Sequence, residues 1–179
     1  SYDALDDYVD ILVPENNDGG NVVSATAVAR WPKEKEVWCY WTNTAHQWID
    51  SLNINARLWS PKVWWMGARG MATWGITLWC TERTPADMEI PWKNPFTPWG
   101  NGVLAYFYPP HPKGPALPWK DLSIVPSLRM VLTRDGIEDY EYAAMLETLL
   151  AARLPSDAGA AEGKAALARM RRQFITPTT

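Results

Sequence analysis

The sequence predicts an α/β fold built on a parallel sheet. Three observations carry this expectation. Short, continuously apolar runs with strand propensity recur along the chain, as strands buried on both faces do. Segments of helical periodicity lie between them. Polar residues appear where the apolar runs stop, the end at which α/β barrels keep their chemistry.

The elements follow in order. Tyr8 to Val13 is the first apolar strand, closed by Pro14, with a loop by composition from Glu15 to Gly20. Asn21 to Arg30 suits a helix and Pro32 stops it. Val37 to Trp41 is the second strand. Ser60 is expected to cap the next helix with Pro61 in its first turn, and Trp64, Gly67, Ala68 and Met71 share one face of it. Gly75 to Cys80 is the third strand. A loop from Pro85 to Gly100, too long for a mere connection, leads to a fourth strand over Val103 to Tyr108. A Pro-rich stretch, Pro109 to Pro118, separates this from the helical end of the chain. There Ser127 caps a short helix, and Asp135 with Glu138 has a capping-box pattern that starts a second. That second helix is expected to bury Tyr142, Met145, Leu146 and Leu149 and to end at Pro155. Ala160 to Phe174 forms the last helix. Four parallel strands are too few for a closed eight-stranded barrel of about 250 residues. The layout is therefore the second half of such a barrel, or a small open sheet. Residues 1–155 form that half-barrel and 156–179 a terminal amphipathic helix and tail.

Composition narrows the function classes. The 179 residues carry a net charge of −3 with both signs interspersed, so no basic stripe points to nucleic acid. No run of about 18 apolar residues could span a membrane. The two cysteines, Cys39 and Cys80, each fall inside an expected strand and read as buried free thiols. The two histidines, His46 and His111, lack ligand-spaced partners, so no metal site and no cofactor are expected. The anomaly is twelve tryptophans. Such density fits a large aromatic core or a sugar-binding cleft, because indoles stack on the C–H faces of pyranose rings.

Several segments together resemble the C-terminal part of the catalytic barrel of glycoside hydrolase family 123. They are VDILVP, VWCYW, Arg57 before a Trp-rich helix, GITLW, and GNG leading into AYFYPP. The most specific is SLRMVLTRDGIEDYEYAAML, which is similar to the family's closing helix. The match runs from Val9 to Leu150. It implies exo-hydrolysis of β-linked N-acetylgalactosamine by a retaining, substrate-assisted mechanism. In that mechanism the acetamido oxygen attacks the anomeric carbon. An Asp orients the acetamido group and an adjacent Glu protonates the leaving oxygen. The family's Asp-Glu pair precedes the segment matching VDILVP, which would place it upstream of Ser1. This sequence contains no Asp-Glu step, and Glu138-Asp139 has the reverse order inside a helix. The resemblance thus implies that this chain, joined to the N-terminal half of the same barrel, supplies part of the pocket for an N-acetylated glycan.

The candidate substrate-binding residues are Tyr40, Trp79, Glu82, Asn101 and Tyr106. Tyr40 closes the second strand and shares a face with Trp38, the face expected to point inward. Trp79 is a wall for the sugar ring or a core residue. Glu82 binds a hydroxyl or pairs with Arg83. Asn101, between glycines, offers a donor and an acceptor or serves a turn. Tyr106 and Tyr108 share a strand face that looks at ligand or core. Arg129 and Arg134, with Asp135 and Asp139, are expected to tie the closing helix to the sheet. Two other functions remain open: a non-catalytic carbohydrate-binding domain on a degenerate barrel, and a structural domain whose tryptophans are core.

Overall fold

The computed structural model describes residues 7–16, 27–31, 34–41, 48–77, 96–97, 100–102, 105–108, 125–154 and 156–175. Its sheet is parallel, as the apolar runs predict. Strands β1 (Ile11–Leu12) and β2 (Glu15–Asn16) both pair with β3 (Glu36–Trp41), which pairs in turn with β4 (Gly70–Thr73). The register is the same for β1 and β2, with Ile11 beside Glu36 and Glu15 beside Tyr40. They are one strand line, broken at Pro14, which has no amide hydrogen to give the ladder. The sheet therefore has three parallel strand lines with β3 in the middle. Residues 27–30 are helical, and α1 (Ile54–Met66) connects β3 to β4.

Alternation along β3 sorts the two faces. Val37, Cys39 and Trp41 are buried, whereas Trp38 and Tyr40 are only half-buried. Cys39 and Trp41 pack on Trp59, Val63 and Met66 of α1, with Trp41 and Trp59 edge to face at 5.6 Å. Leu12 and Val37 pack with Ala27 and Trp31. Four tryptophans, at 31, 41, 59 and 64, are thus core residues.

The helix before β4 differs from expectation at both ends. It begins after Asn53, and Pro61 lies inside it. Ser60 is buried and donates to Met71 Sδ at 3.4 Å rather than capping. The helix stops at Gly67, whose φ of 77° closes a left-handed cap with Ala68 N–H donating to Val63 O. Gly67 is therefore a terminator, Ala68 the approach to β4 and Met71 a residue of β4, not one helical face. The third strand is Gly70–Thr73, and of the expected Gly75–Cys80 run only Thr77 pairs among the described residues.

The expected fourth parallel strand is antiparallel where it is described. Strand β7 (Phe107–Tyr108) pairs antiparallel with β8 (Val125–Pro126), and Thr77 bridges Ala105 antiparallel. A parallel return needs a crossover, usually helical, and the Pro-rich stretch from Pro85 to Gly100 carries no helical period. Strands β5 (Phe96–Thr97) and β6 (Gly100–Asn101), also antiparallel, fall at its end.

The closing segment is one helix, α2 (Leu128–Ala151), followed by α3 (Ala158–Ile175). Ser127 caps α2 as expected, accepting from the Met130 amide at 3.4 Å. Asp135 and Glu138 start no second helix; they lie within α2 and pair with Arg134. The buried face of α2 also differs. Gly136, Ala143 and Leu150 face inward, while Tyr142, Met145 and Leu149 are exposed. Small residues win the inner face because α1 and α2 cross closely. A Cβ on Gly136 would stand 2.1 Å from Arg57 O. That carbonyl has lost its helical partner, since Pro61 lacks an amide hydrogen.

Candidate functional site

The carboxyl ends of the parallel strands bring Glu15, Tyr40 and Ala72 side by side. Residues paired across a parallel ladder share a face, so all three lie on the side away from α1. One pleat back on that face are Trp38 and Gly70, also paired. The Trp38 indole lies across Gly70: a Cβ there would come within 2.6 Å of Trp38 Cδ2. Its Nε1 donates to Glu36 Oε2 at 3.0 Å, which fixes the ring's direction. Ile11 and Val13, on the same face, are exposed, and Trp74 just past β4 is 70% exposed. Among the described residues these make an open aromatic surface.

Electrostatics at this edge are simple. Burial and the Glu15 carboxylate both push the Tyr40 phenol pKa above its ordinary value. Tyr40 therefore keeps its proton and remains a donor beside an acceptor. An indole laid flat, a phenol and a carboxylate can together hold a ring with one apolar face and a rim of hydroxyls.

Of the five sequence candidates, the structure places Tyr40 on this face. Tyr106 lies on the opposite, helix-covered side, 1% exposed and packed with Cys39, Trp41 and Trp59. It is a core residue, one of the two positions, ligand or core, that the sequence left open for it. Its Oη meets no partner among the described residues. Burial drives its pKa up to about 12 against the opposing charge of Arg129, whose guanidinium sits 5.5 Å from the ring centroid. The backbone of Asn101 lies in β6, paired with Phe96, but its side chain is outside the described residues, as are Trp79 and Glu82. Trp38, Gly70 and Glu15 complete the face and were not among the candidates. The signal for Trp38 was present in the alternation of β3. Gly70 and Glu15 join it only through register.

The charged residues of the closing helix hold it in place. Arg129 is buried and donates to Gly102 O at 2.8 Å and Ala105 O at 2.6 Å, holding the segment that follows Asn101. Asp139 accepts two bonds from Arg57, at 2.7 and 3.0 Å, fork to fork. Tyr140 Oη donates to Ala68 O at 3.3 Å, and Trp64 Nε1 to Glu147 Oε2 at 2.9 Å. Arg134 pairs only with Asp135 and Glu138 of its own helix among these contacts.

Among the described residues no group of three or more His, Cys, Asp or Glu side chains could hold a metal ion. No described helix is long and apolar enough to cross a membrane. No protein-family model matches the chain, and no curated protein matches it.

Proposed function

We propose that this chain contributes the sugar-contacting wall of a glycosidase barrel acting on β-linked N-acetylhexosamine, with N-acetylgalactosamine the favoured sugar. The observation that carries this reading is the Trp38 indole laid over Gly70, one pleat before Tyr40 and Glu15 at the carboxyl ends of the parallel strands. Helices over one sheet face, with polar and aromatic residues gathered toward the carboxyl ends of the parallel strands, fit the layering of a (β/α)8 wall, whose chemistry sits at that end. The resemblance to glycoside hydrolase family 123 adds the reaction: retaining and substrate-assisted. On this reading the Asp-Glu pair is not among these residues. The chain supplies the platform, and a preceding half of the barrel supplies the chemistry.

The test is binding of a methyl N-acetyl-β-galactosaminide, followed by saturation-transfer NMR and calorimetry. Trp38→Ala should weaken binding by about 1–3 kcal/mol, the scale of ring stacking on an aromatic. Its circular dichroism should stay that of the parent. Unchanged affinity in the folded variant would remove Trp38 from the site, and absence of any sugar contact would remove the reading. The chain alone should not hydrolyse an aryl N-acetyl-β-galactosaminide, and turnover would redirect attention to Glu15 and Glu82.

A second reading, a structural domain with a Trp-rich core, is favoured by the burial of Trp31, Trp41, Trp59 and Trp64. The two separate on the same titration, since a purely structural domain binds no sugar.

A further inference from the structure

We propose that Trp74 is a second sugar platform, so that the site takes two linked pyranose rings, the terminal one inward on Trp38 and the next outward on Trp74. This rests on the glycosidase reading and adds to it the length of the glycan. Trp74 follows directly on Thr73, the last residue of β4, and is 70% exposed. Tryptophan is highly buried on average, as Trp31, Trp41, Trp59 and Trp64 are in this chain. The alternation that sets Gly70 and Ala72 on the face of Trp38 and Tyr40 brings Trp74 to that face next. Trp74 thus prolongs an aromatic surface instead of standing alone, and continuous exposed apolar surface marks a binding site. There is room beside it, since a Cβ on Gly75 would meet no atom within 4 Å.

The order along β4 gives the site a direction. Trp38 lies across Gly70 at the start of the strand, and Trp74 stands past its other end. A strand rises about 3.3 Å per residue, so roughly 10 Å separates the levels of Gly70 and Thr73. One pyranose ring cannot rest on both indoles, whereas two rings joined by a glycosidic bond reach from one to the other. Trp74 is the nearer to the mouth, because α/β barrels open at the carboxyl ends of their strands. An exo-acting hydrolase releases the terminal ring, which must enter first and lie innermost. The ring on Trp74 is then the one that departs with the leaving oxygen. An indole offers this ring a face rather than a set of hydrogen bonds. It therefore favours a sugar over a short alcohol as the leaving group, without selecting one sugar.

Calorimetry with two ligands tests this: methyl N-acetyl-β-galactosaminide and the disaccharide N-acetyl-β-galactosaminyl-galactose. The wild-type chain should bind the disaccharide about tenfold more tightly, toward the low end of ring stacking on an aromatic. Trp74→Ala should abolish that gain while leaving the methyl glycoside's affinity and the circular dichroism unchanged. Trp74→Phe, which keeps an aromatic face, should keep most of the gain, and Trp38→Ala should weaken both ligands. Equal wild-type affinities for the two ligands would overturn the second platform and leave the glycosidase reading standing. A disaccharide gain that survives Trp74→Ala would also overturn it, as would an equal loss for both ligands. Binding of neither ligand would remove the glycosidase reading itself, and the platform with it.

Discussion

Tyr106 carries a hydroxyl into a site where it meets no partner among the described residues. Two consequences follow at the scale of this one residue. Removing the hydroxyl should not harm the fold, and Tyr106→Phe should gain about 1 kcal/mol, because an unsatisfied buried group costs its desolvation. The second consequence is a pH dependence. The unfolded chain releases this phenolic proton near pH 10, whereas the folded chain holds it up to about 12. Above pH 10 the unfolded state binds fewer protons, so stability falls across that window. Denaturant unfolding of both proteins from neutral pH to pH 12 should show a shallower decline for Tyr106→Phe. Parallel declines would mean that the phenol is not buried as described. The sequence put Tyr106 and Tyr108 on one strand face, whereas Tyr106 precedes β7 and is 1% exposed and Tyr108 within it is 52% exposed. The sequence could not show which face, because an unbroken apolar strand alternates identically whether its tyrosine points at core or at solvent. Tyr40 was easier, since its neighbours Cys39 and Trp41 pair with an amphipathic helix that claims their side.

At the scale of elements, the crossing of α1 and α2 explains the RDGIEDYEY segment. Gly136 lets α2 approach the Arg57 carbonyl, Asp139 grips the Arg57 guanidinium one turn on, and Tyr140 reaches Ala68 O. Pro61 takes part through what it lacks, since its missing amide leaves that carbonyl free of a helical bond. Gly136→Ala should therefore destabilise. Its Cβ would meet a backbone atom that cannot swing aside, an overpacking cost of about 1–3 kcal/mol. This works against the roughly 1 kcal/mol that alanine gains in a helix. Gly75→Ala, with nothing within 4 Å, is the control. A Gly136→Ala protein as stable as its parent would show that the crossing is looser than described. These local signals misled for a physical reason. Pro61 and Gly136 look like punctuation in the sequence, a helix start and a break in a cap motif. Both serve close approach between helices, which local pattern does not encode. Gly67 is the converse, true punctuation that falls at the spacing of a helical face.

For the whole molecule, the α/β class and the parallel sheet were legible because continuous apolar runs alternated with helical periods. The antiparallel return at β7 was not legible in the apolar pattern of Val103 to Tyr108, which suits either direction. The cue lay in the connection, which carries prolines where a crossover needs a helix. The site was legible only in its middle strand. Register across three strands assembled the rest, and register depends on pairings between residues far apart in sequence.

Pro14 also gives the sheet a division of labour in time. The amide of Glu36 donates to Asp10 O at 3.0 Å, before the break, and that of Tyr40 to Pro14 O at 3.3 Å, at the break. With no amide of its own to contribute, Pro14 uncouples β2 from β1, so the last pairings can open while the first stay closed. Deuterium should therefore replace the Tyr40 amide hydrogen sooner than that of Glu36, and Pro14→Val, which returns an amide to the ladder, should slow it. Equal exchange at the two positions would contradict the uncoupling. The edge that carries Glu15 and Tyr40 would then breathe on its own clock, admitting a guest by releasing a two-residue strand rather than by loosening the sheet.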